Sequence, residues 1–249
     1  MKRMRTALGC ALAALALFAA GTFAGCSSDG GSSEGANYNA SGSASPFSAA
    51  AGTVVRNKVV SVGGSNDVFY EYLTFSDADG GSYAVYRDSE GKKEKVTEIS
   101  IGGVEKTLPS SFEYDGATGK VSAGGSTAYM LNAKKNGKDV FATASEVLET
   151  AGEDKTTLMN KWSSASDGEY EFHDDGTVST DNGPFGFTND GGWITADGNV
   201  PFLWAKTGEG FSLYYMVFET ERENVDEEGR AAARGGEILL VSDRFLVIR

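Results

Sequence analysis

From residue 53 onward, apolar and polar positions come in short runs that Gly, Asp, Asn and Ser interrupt at hairpin spacing. Val54, Val55, Val59, Val60 and Val62 form a β-branched run that stops at Gly63-Gly64. The aromatic stretch from Phe69 to Phe75 stops at Asp77-Ala78-Asp79-Gly80-Gly81. Ser82 to Tyr86 and Val96 to Ile101 follow, the second with Thr97, Ile99 and Ile101 on one face. Side chains of a strand point alternately to its two faces, so period-two runs separated by turn residues predict antiparallel sheet. Phe211 to Phe218 is apolar on both faces, as expected of a strand covered on both sides. Ile238 to Val241 and Phe245 to Ile248 read alike, with Ser242-Asp243 as a turn or bulge between them. The charged stretch from Glu219 to Glu237 then forms a long excursion in the penultimate hairpin.

One segment departs from this grammar. Thr143-Ala144-Ser145-Glu146 has the S/T-x-x-E form of a capping box, and Val147, Leu148 and Ala151 then share a helical face. The spacing predicts a helix around 144–158. The expected fold class is therefore all-β and mainly antiparallel. Two small meander or barrel units, 53–142 and 161–249, are joined by a short helix within 143–160. One larger β-barrel or sandwich spanning 53–249 is the alternative. Leu73-Thr74-Phe75 with Asp79-Gly80 and Tyr83 parallels Tyr170-Glu171-Phe172 with Asp175-Gly176 and Val178, which fits either a duplication or shared hairpin grammar.

The N-terminal pattern is of another kind. Lys2, Arg3 and Arg5 precede an uncharged Ala- and Leu-rich run from Leu8 to Ala20, which ends on Gly21-Thr22-Phe23-Ala24-Gly25-Cys26. A basic head, an apolar middle and small residues at a cut site describe a secretory signal. Phe23-Ala24-Gly25-Cys26 resembles the lipobox of bacterial lipoproteins, with Phe23 where Leu, Val or Ile is usual. The resemblance implies cleavage before Cys26 and a diacylglycerol on its sulfur. The protein is then held in the bacterial cell envelope, at the outer membrane, by lipid on Cys26. The stretch from Thr6 to Ser28 is also long enough to span a bilayer as an uncleaved anchor. Either reading places the remainder outside the cytoplasm. Residues 1–25 are thus the expected signal peptide. Residues 26–52 are the expected flexible tether, made of Ser, Gly, Ala and Asn with Tyr38 and Phe47 as the large apolar residues. Cys10 and Cys26 are the only cysteines, so nothing remains to staple the exported part, which must be held by its core.

The formal charge of −13 excludes nucleic acid as a partner, because phosphates demand a basic surface. It equally excludes adhesion to anionic lipid headgroups, leaving acyl chains as the attachment. Further along, Asn160-Lys161-Trp162 and Tyr170-Glu171-Phe172-His173-Asp174-Asp175-Gly176-Thr177-Val178 resemble the small lipocalin-like domains of bacterial lipoproteins. In those, a Gly-x-Trp opens the first strand and a Phe-x-x-Asp-Gly-Thr hairpin follows. Here Asn160 replaces the glycine. The resemblance covers about residues 155–249 and implies an up-and-down barrel, with Arg244 or Arg249 packing over Trp162. It implies a ligand cavity only if the barrel is wide enough.

Candidate chemistry is sparse. His173 is the only histidine, which excludes a two-histidine metal site, and its neighbours Asp174 and Asp175 read as turn residues. Asp77, Asp79, Asp174, Asp175, Asn189, Asp190, Asp197 and Asn199 sit beside glycines, where calcium ligands and hairpin turns both want them. EF-hand spacing fails after Asp79-Gly80, so no metal or other cofactor is expected. Ser89-Glu90-Gly91-Lys92 and Lys206-Thr207-Gly208 match two motifs of penicillin-interacting serine enzymes, but the first lies in a charged hairpin tip rather than on a buried helix. No catalytic residue is therefore assigned. Trp162, Trp193 and Trp204 all fall in the second unit, and Trp193 and Trp204 are the candidate ligand-binding residues for a small apolar or sugar ligand. The expected function is a non-enzymatic module that binds a ligand or a protein partner. A hydrolase using carboxylates on glycans, or a structural or antigenic surface protein, is the alternative.

Overall fold

The computed structural model describes residues 44–60, 67–101, 103–198, 200–207, 210–221, 238–241 and 246, and no helix occurs among them. The lipobox with Cys26, Tyr38, Asn199, Arg244 and Arg249 lie outside the described residues. The expected all-β, mainly antiparallel character holds among them, with one parallel pairing.

The first sheet is built from β1 (Ser45–Pro46), β2 (Val54–Val60), β3 (Val68–Asp77), β4 (Gly80–Ser89) and β5 (Lys92–Val96). The hairpin β6 (Glu98–Ile101) and β7 (Val104–Thr107) forms a small sheet of its own, after which β8 (Ser111–Asp115), β9 (Lys120–Ala123), β10 (Ser126–Lys135) and β11 (Lys138–Ala144) return to the first. Its inner face carries Val55, Leu73, Phe75, Tyr83, Phe112, Val121, Met130 and Phe141, all buried. Phe75 anchors this core edge-on against Phe112 at 4.9 Å and Tyr114 at 5.3 Å, the geometry ring quadrupoles favour.

Two buried details shape this sheet. Phe47, expected in the flexible tether, is 2% exposed and meets Phe141 edge-on at 5.0 Å. Its carbonyl accepts the Tyr114 hydroxyl at 2.6 Å, and Ser45 and Pro46 pair with Asn132 and Leu131 of β10. Low complexity around a single Phe hid a core residue, because burying one aromatic offsets the ordering of a few backbone residues. The second is Glu71, wholly buried on the inner face. It accepts the Tyr83 hydroxyl at 2.6 Å, the Asn57 amide, and the backbone N–H of Leu246 at 2.7 Å. A buried carboxylate persists only where donors replace its water, and these donors tie Leu246 to β2 and β4.

The segment expected as a connecting helix is strand as far as Thr150 and loop from there to 160. Val140, Ala142 and Ala144 of β11 pack on one face while Phe141 enters the core on the other, and β12 (Glu146–Thr150) follows after a single residue. The capping-box residues serve other partners: Ser145 gives both its N–H and its hydroxyl to the Tyr215 carbonyl, and Glu146 accepts Ser164 and Ser166. A cap stabilises by only about 1 kcal/mol, less than the ladders that β11 and β12 complete.

With β13 (Lys161–Ser164), β14 (Gly168–Phe172), β15 (Thr177–Thr180), β16 (Gly183–Asp190), β17 (Trp193–Ala196), β18 (Val200–Thr207) and β19 (Gly210–Tyr215), β12 forms a closed, eight-stranded up-and-down barrel. β12 closes it, pairing with β19 through Glu146–Leu148 and with β13 through Glu149 and Thr150. Lys161, Glu169 and Glu171 face outward, the reverse of the apolar band a membrane barrel presents. At Met216 the backbone turns into the left-handed region (φ 52°), and the chain leaves the barrel. β20 (Phe218–Glu221) then pairs with β11, and β21 (Ile238–Val241) lies parallel to β2. Ile238–Val241, expected in the second unit, instead forms one end of the first sheet, and β20, at the start of the expected charged excursion, forms the other. That sheet runs β20-β11-β10-β9-β8-β4-β3-β2-β21 and curls until its ends approach each other. The barrel wall and the outer face of β10–β11 share a core of Leu131, Ala133, Val140, Ala142, Leu203, Ala205 and Tyr214.

Candidate functional site

The two candidate tryptophans stand on opposite sides of one barrel wall. Trp193 of β17 pairs with Leu203 of β18, so Trp204, one residue on, points through the wall the other way. Trp204 is fully buried inside the barrel. It stacks on Phe211 at 4.8 Å with the rings 10° from parallel, and meets Trp162 edge-on at 5.3 Å. Tyr170, Phe172 and Phe202 continue the ladder of ring contacts, with Val178, Ile194 and Leu213 filling between. One end is closed by loop 151–160, whose Leu158 is wholly buried and whose carbonyl accepts the Trp162 indole N–H at 3.1 Å. Asn160, standing where the lipocalin-like pattern has glycine, donates its side-chain amide to the carbonyls of Asp154 and Thr157 and so shapes that loop. The barrel axis is thus occupied by the protein's own side chains.

The other end is a shallow acidic mouth of about 170 Å³ lined by Asp167, Asp181, Asp197, Tyr170 and Phe185. Asp167 accepts the hydroxyls of Tyr170 and, at 2.9 Å, Tyr215. Burial, then these bonds to a carboxylate, pushes the Tyr215 phenol up to about 12 and the Tyr170 phenol higher still.

Trp193 lies in a different setting, between the barrel and the first sheet, where two tight turns meet. Asp190 and Trp193 are directly paired across Gly191 and Gly192, whose φ angles are +59° and +96°. Lys135 and Lys138 are paired across Asn136 and Gly137, with φ angles of +52° and +78°. Positive φ at both central residues is the hairpin turn that matches strand twist, and only residues such as Gly and Asn adopt it readily. The tips touch: the Trp193 indole N–H donates to the Lys134 carbonyl at 2.9 Å, and Lys135 Nζ lies 5.0 Å from the ring centre. Glu219, the second residue of β20, pairs with Lys135 at 2.5 Å. The indole is therefore fixed along its edge by a hydrogen bond and carries over one face a cation that has its own counter-ion.

Around it opens a cleft of about 480 Å³. Thr188, Asp190 and Thr195 line it from the barrel wall with Trp193 and Pro201, while Lys135, Val217 and Glu219 line it from the sheet side. Hydroxyls, carboxylates and one ammonium thus surround an aromatic and aliphatic floor, at a junction between packed bodies of the kind small-molecule sites favour. Of the candidate residues read from the sequence, Trp193 and Asp190 belong to this cleft, Asp190 having been read as a calcium ligand or turn residue. Lys135 and Glu219 come from strands far apart in the chain, and only the hairpin signals Asn136-Gly137 and Gly191-Gly192 mark it locally. No family model, curated protein or solved structure matches this chain.

The remaining candidates have local duties. The Asp175 carboxyl accepts the Thr177 hydroxyl at 2.6 Å and its N–H at 3.0 Å, bonds that hold it below the usual carboxylate range. His173 Nε2 shares a hydrogen bond with the Ser179 hydroxyl at 2.9 Å. Asp77 accepts the Asp79 N–H, and Asn189 the Gly192 N–H. Ser89 and Lys92 face each other across the two-residue turn Glu90-Gly91 of an exposed hairpin. Among the described residues no group of three or more His, Cys, Asp or Glu is placed to hold a metal ion.

Proposed function

We propose that this chain is an exported, lipid-anchored envelope lipoprotein whose β part is a non-enzymatic binding module, and that it binds through the Trp193 cleft rather than through the barrel interior. The observation that carries this reading is the contrast across one barrel wall. Trp204 and its neighbours fill the interior, whereas Trp193 is held at the edge of an open cleft. A carrier of the lipocalin kind needs an enclosed apolar cavity, and rings in mutual contact along the axis leave that role to the outside. The lipobox-like Phe23-Ala24-Gly25-Cys26 supports the address, and the buried Phe47 supplies a firm point at which a tether from Cys26 ends. The lipocalin-like character expected of about 155–249 is proposed for the barrel strands β12–β19 alone, and rests on Trp162, the Asp175-Gly176-Thr177 turn and the up-and-down strand order.

The test is a thermal-shift survey of the purified full chain with apolar and polar small molecules, repeated on Trp193→Ala and Trp204→Phe. Stabilisation that disappears in Trp193→Ala and survives in Trp204→Phe is expected. Stabilisation by long apolar ligands that depends on Trp204 and not on Trp193 would overturn the reading and restore an interior carrier.

A further inference from the structure

From the lining of the Trp193 cleft we infer that its ligand is an uncharged saccharide, one ring of which lies against the indole while its hydroxyls bond to Asp190, Thr188 and Thr195. This rests on the cleft being the binding surface and adds the class of ligand.

The chemistry of the lining selects among classes. An anionic ligand is disfavoured: the one ammonium, Lys135, is already paired with Glu219, and Asp190 adds a second carboxylate. A purely apolar ligand is disfavoured too, because covering Thr188, Asp190 and Thr195 strips their water and returns no hydrogen bond. A ligand that fits must offer donors to carboxylate and hydroxyl oxygens on one side and an apolar C–H face on the other. A neutral sugar ring has that arrangement.

The geometry fits the same class. Asp190 is the cross-strand partner of Trp193, and Thr188 of Thr195. Outward residues of paired strands lie about 5 Å apart, so a carboxylate and two hydroxyls flank the indole at spacings a hexose can span. The platform is preorganised, since the Trp193 N–H is committed to the Lys134 carbonyl and cannot swing away. The volume, about 480 Å³, falls within the about 300–1,000 Å³ of small-molecule sites.

The experiment titrates the full chain, in a sugar-free detergent, with cellobiose, chitobiose and maltose, by calorimetry and tryptophan emission. Trp162 and Trp204 are buried, so a saturable emission change reports on Trp193. At least one disaccharide is expected to saturate at a dissociation constant of about 1 mM or below. Trp193→Ala is expected to lose at least about tenfold in affinity, and Asp190→Asn about tenfold for one charged hydrogen bond. Asp190 is exposed on the barrel wall, so its variant keeps the test decisive should Trp193→Ala lower the yield of folded protein. The inference is overturned if none of the three sugars binds at about 10 mM, or if both variants bind like the parent. A non-sugar compound whose stabilisation depends on Trp193 would overturn the ligand class and leave the binding-module reading standing. The absence of any Trp193-dependent ligand would sink both.

Discussion

Replacing Trp204 with alanine probes the barrel interior most sharply. The indole is fully buried between Phe211 and Trp162. An aromatic of this size buries about 150–250 Å², which at about 25 cal/mol per Å² stabilises by about 4–6 kcal/mol. Against that, the Trp204 Nε1–H has no hydrogen-bond partner among the described residues, and a buried unmet donor costs about 1–3 kcal/mol. The net loss should be about 1–5 kcal/mol, centred on about 3, which meets the about 3–5 kcal/mol range of large aromatic truncations. Trp162 occupies a similar environment, but its N–H reaches the Leu158 carbonyl. Trp162→Phe should therefore cost about 1–2 kcal/mol more than Trp204→Phe, which removes the unmet donor along with the ring. Urea unfolding followed by far-ultraviolet circular dichroism measures each change, and for a loss of about 3 kcal/mol Tm should fall by about 6–12 °C in Trp204→Ala. The truncated side chain leaves an apolar hole, so added indole should restore part of the loss. A cost below about 1 kcal/mol with no rescue would refute a packed interior.

Other outcomes follow from the same geometry. Glu71→Gln should destabilise by about 2–3 kcal/mol, because one amide oxygen cannot replace two carboxylate oxygens. Amide exchange at Leu246 should quicken with it, and unchanged exchange there would contradict the tie to the C-terminus. Burial raises Tyr214 and Tyr215 to about 12, so the folded state holds those protons after the unfolded chain has begun losing them near 10. Their stabilisation is complete below pH about 10 and is lost as pH climbs toward 12; a urea midpoint that rises over that interval would contradict it. Gly191→Asn should be neutral or stabilise by up to about 1 kcal/mol, because Asn tolerates the positive φ and the space beside Gly191 is open. Gly191→Val should destabilise, and equal midpoints for the two would show that the turn does not need that conformation. Cys26→Ser should abolish incorporation of labelled palmitate and release the chain from the membrane fraction, whereas retained label would place the lipid elsewhere.

Elements with a local cause were legible in the sequence. The period-two runs of β2 and β3, the two-sided apolar β19 and the turn residues between strands announced antiparallel sheet. Tyr214 shows why β19 reads so: it faces the shared core while Leu213 and Tyr215 enter the barrel. What failed was set by distant partners. Thr143 to Glu146 carries a helix-start signal, but β10, β20 and β19 claim that stretch as strand. Phe47 gave no pattern, being one residue in a Ser- and Ala-rich stretch. The departure at Met216, which carries β20 to the first sheet, has no motif because its cause is tertiary. At the site, Trp193 and Trp204 look alike in sequence. They are separated by pleat parity, which requires the register of β17 on β18 rather than composition.

The barrel is closed by its own side chains, and Trp193 alone of the tryptophans faces a usable surface. Hydrogen exchange of the three indole N–H groups, resolved by nitrogen-15 NMR, tests it most directly. The signals of Trp162 and Trp204 should exchange only as fast as the whole protein unfolds, and that of Trp193 orders of magnitude sooner. A Trp204 signal that exchanges as quickly as that of Trp193 would mean water reaches the barrel axis, and the account of a filled interior would be wrong.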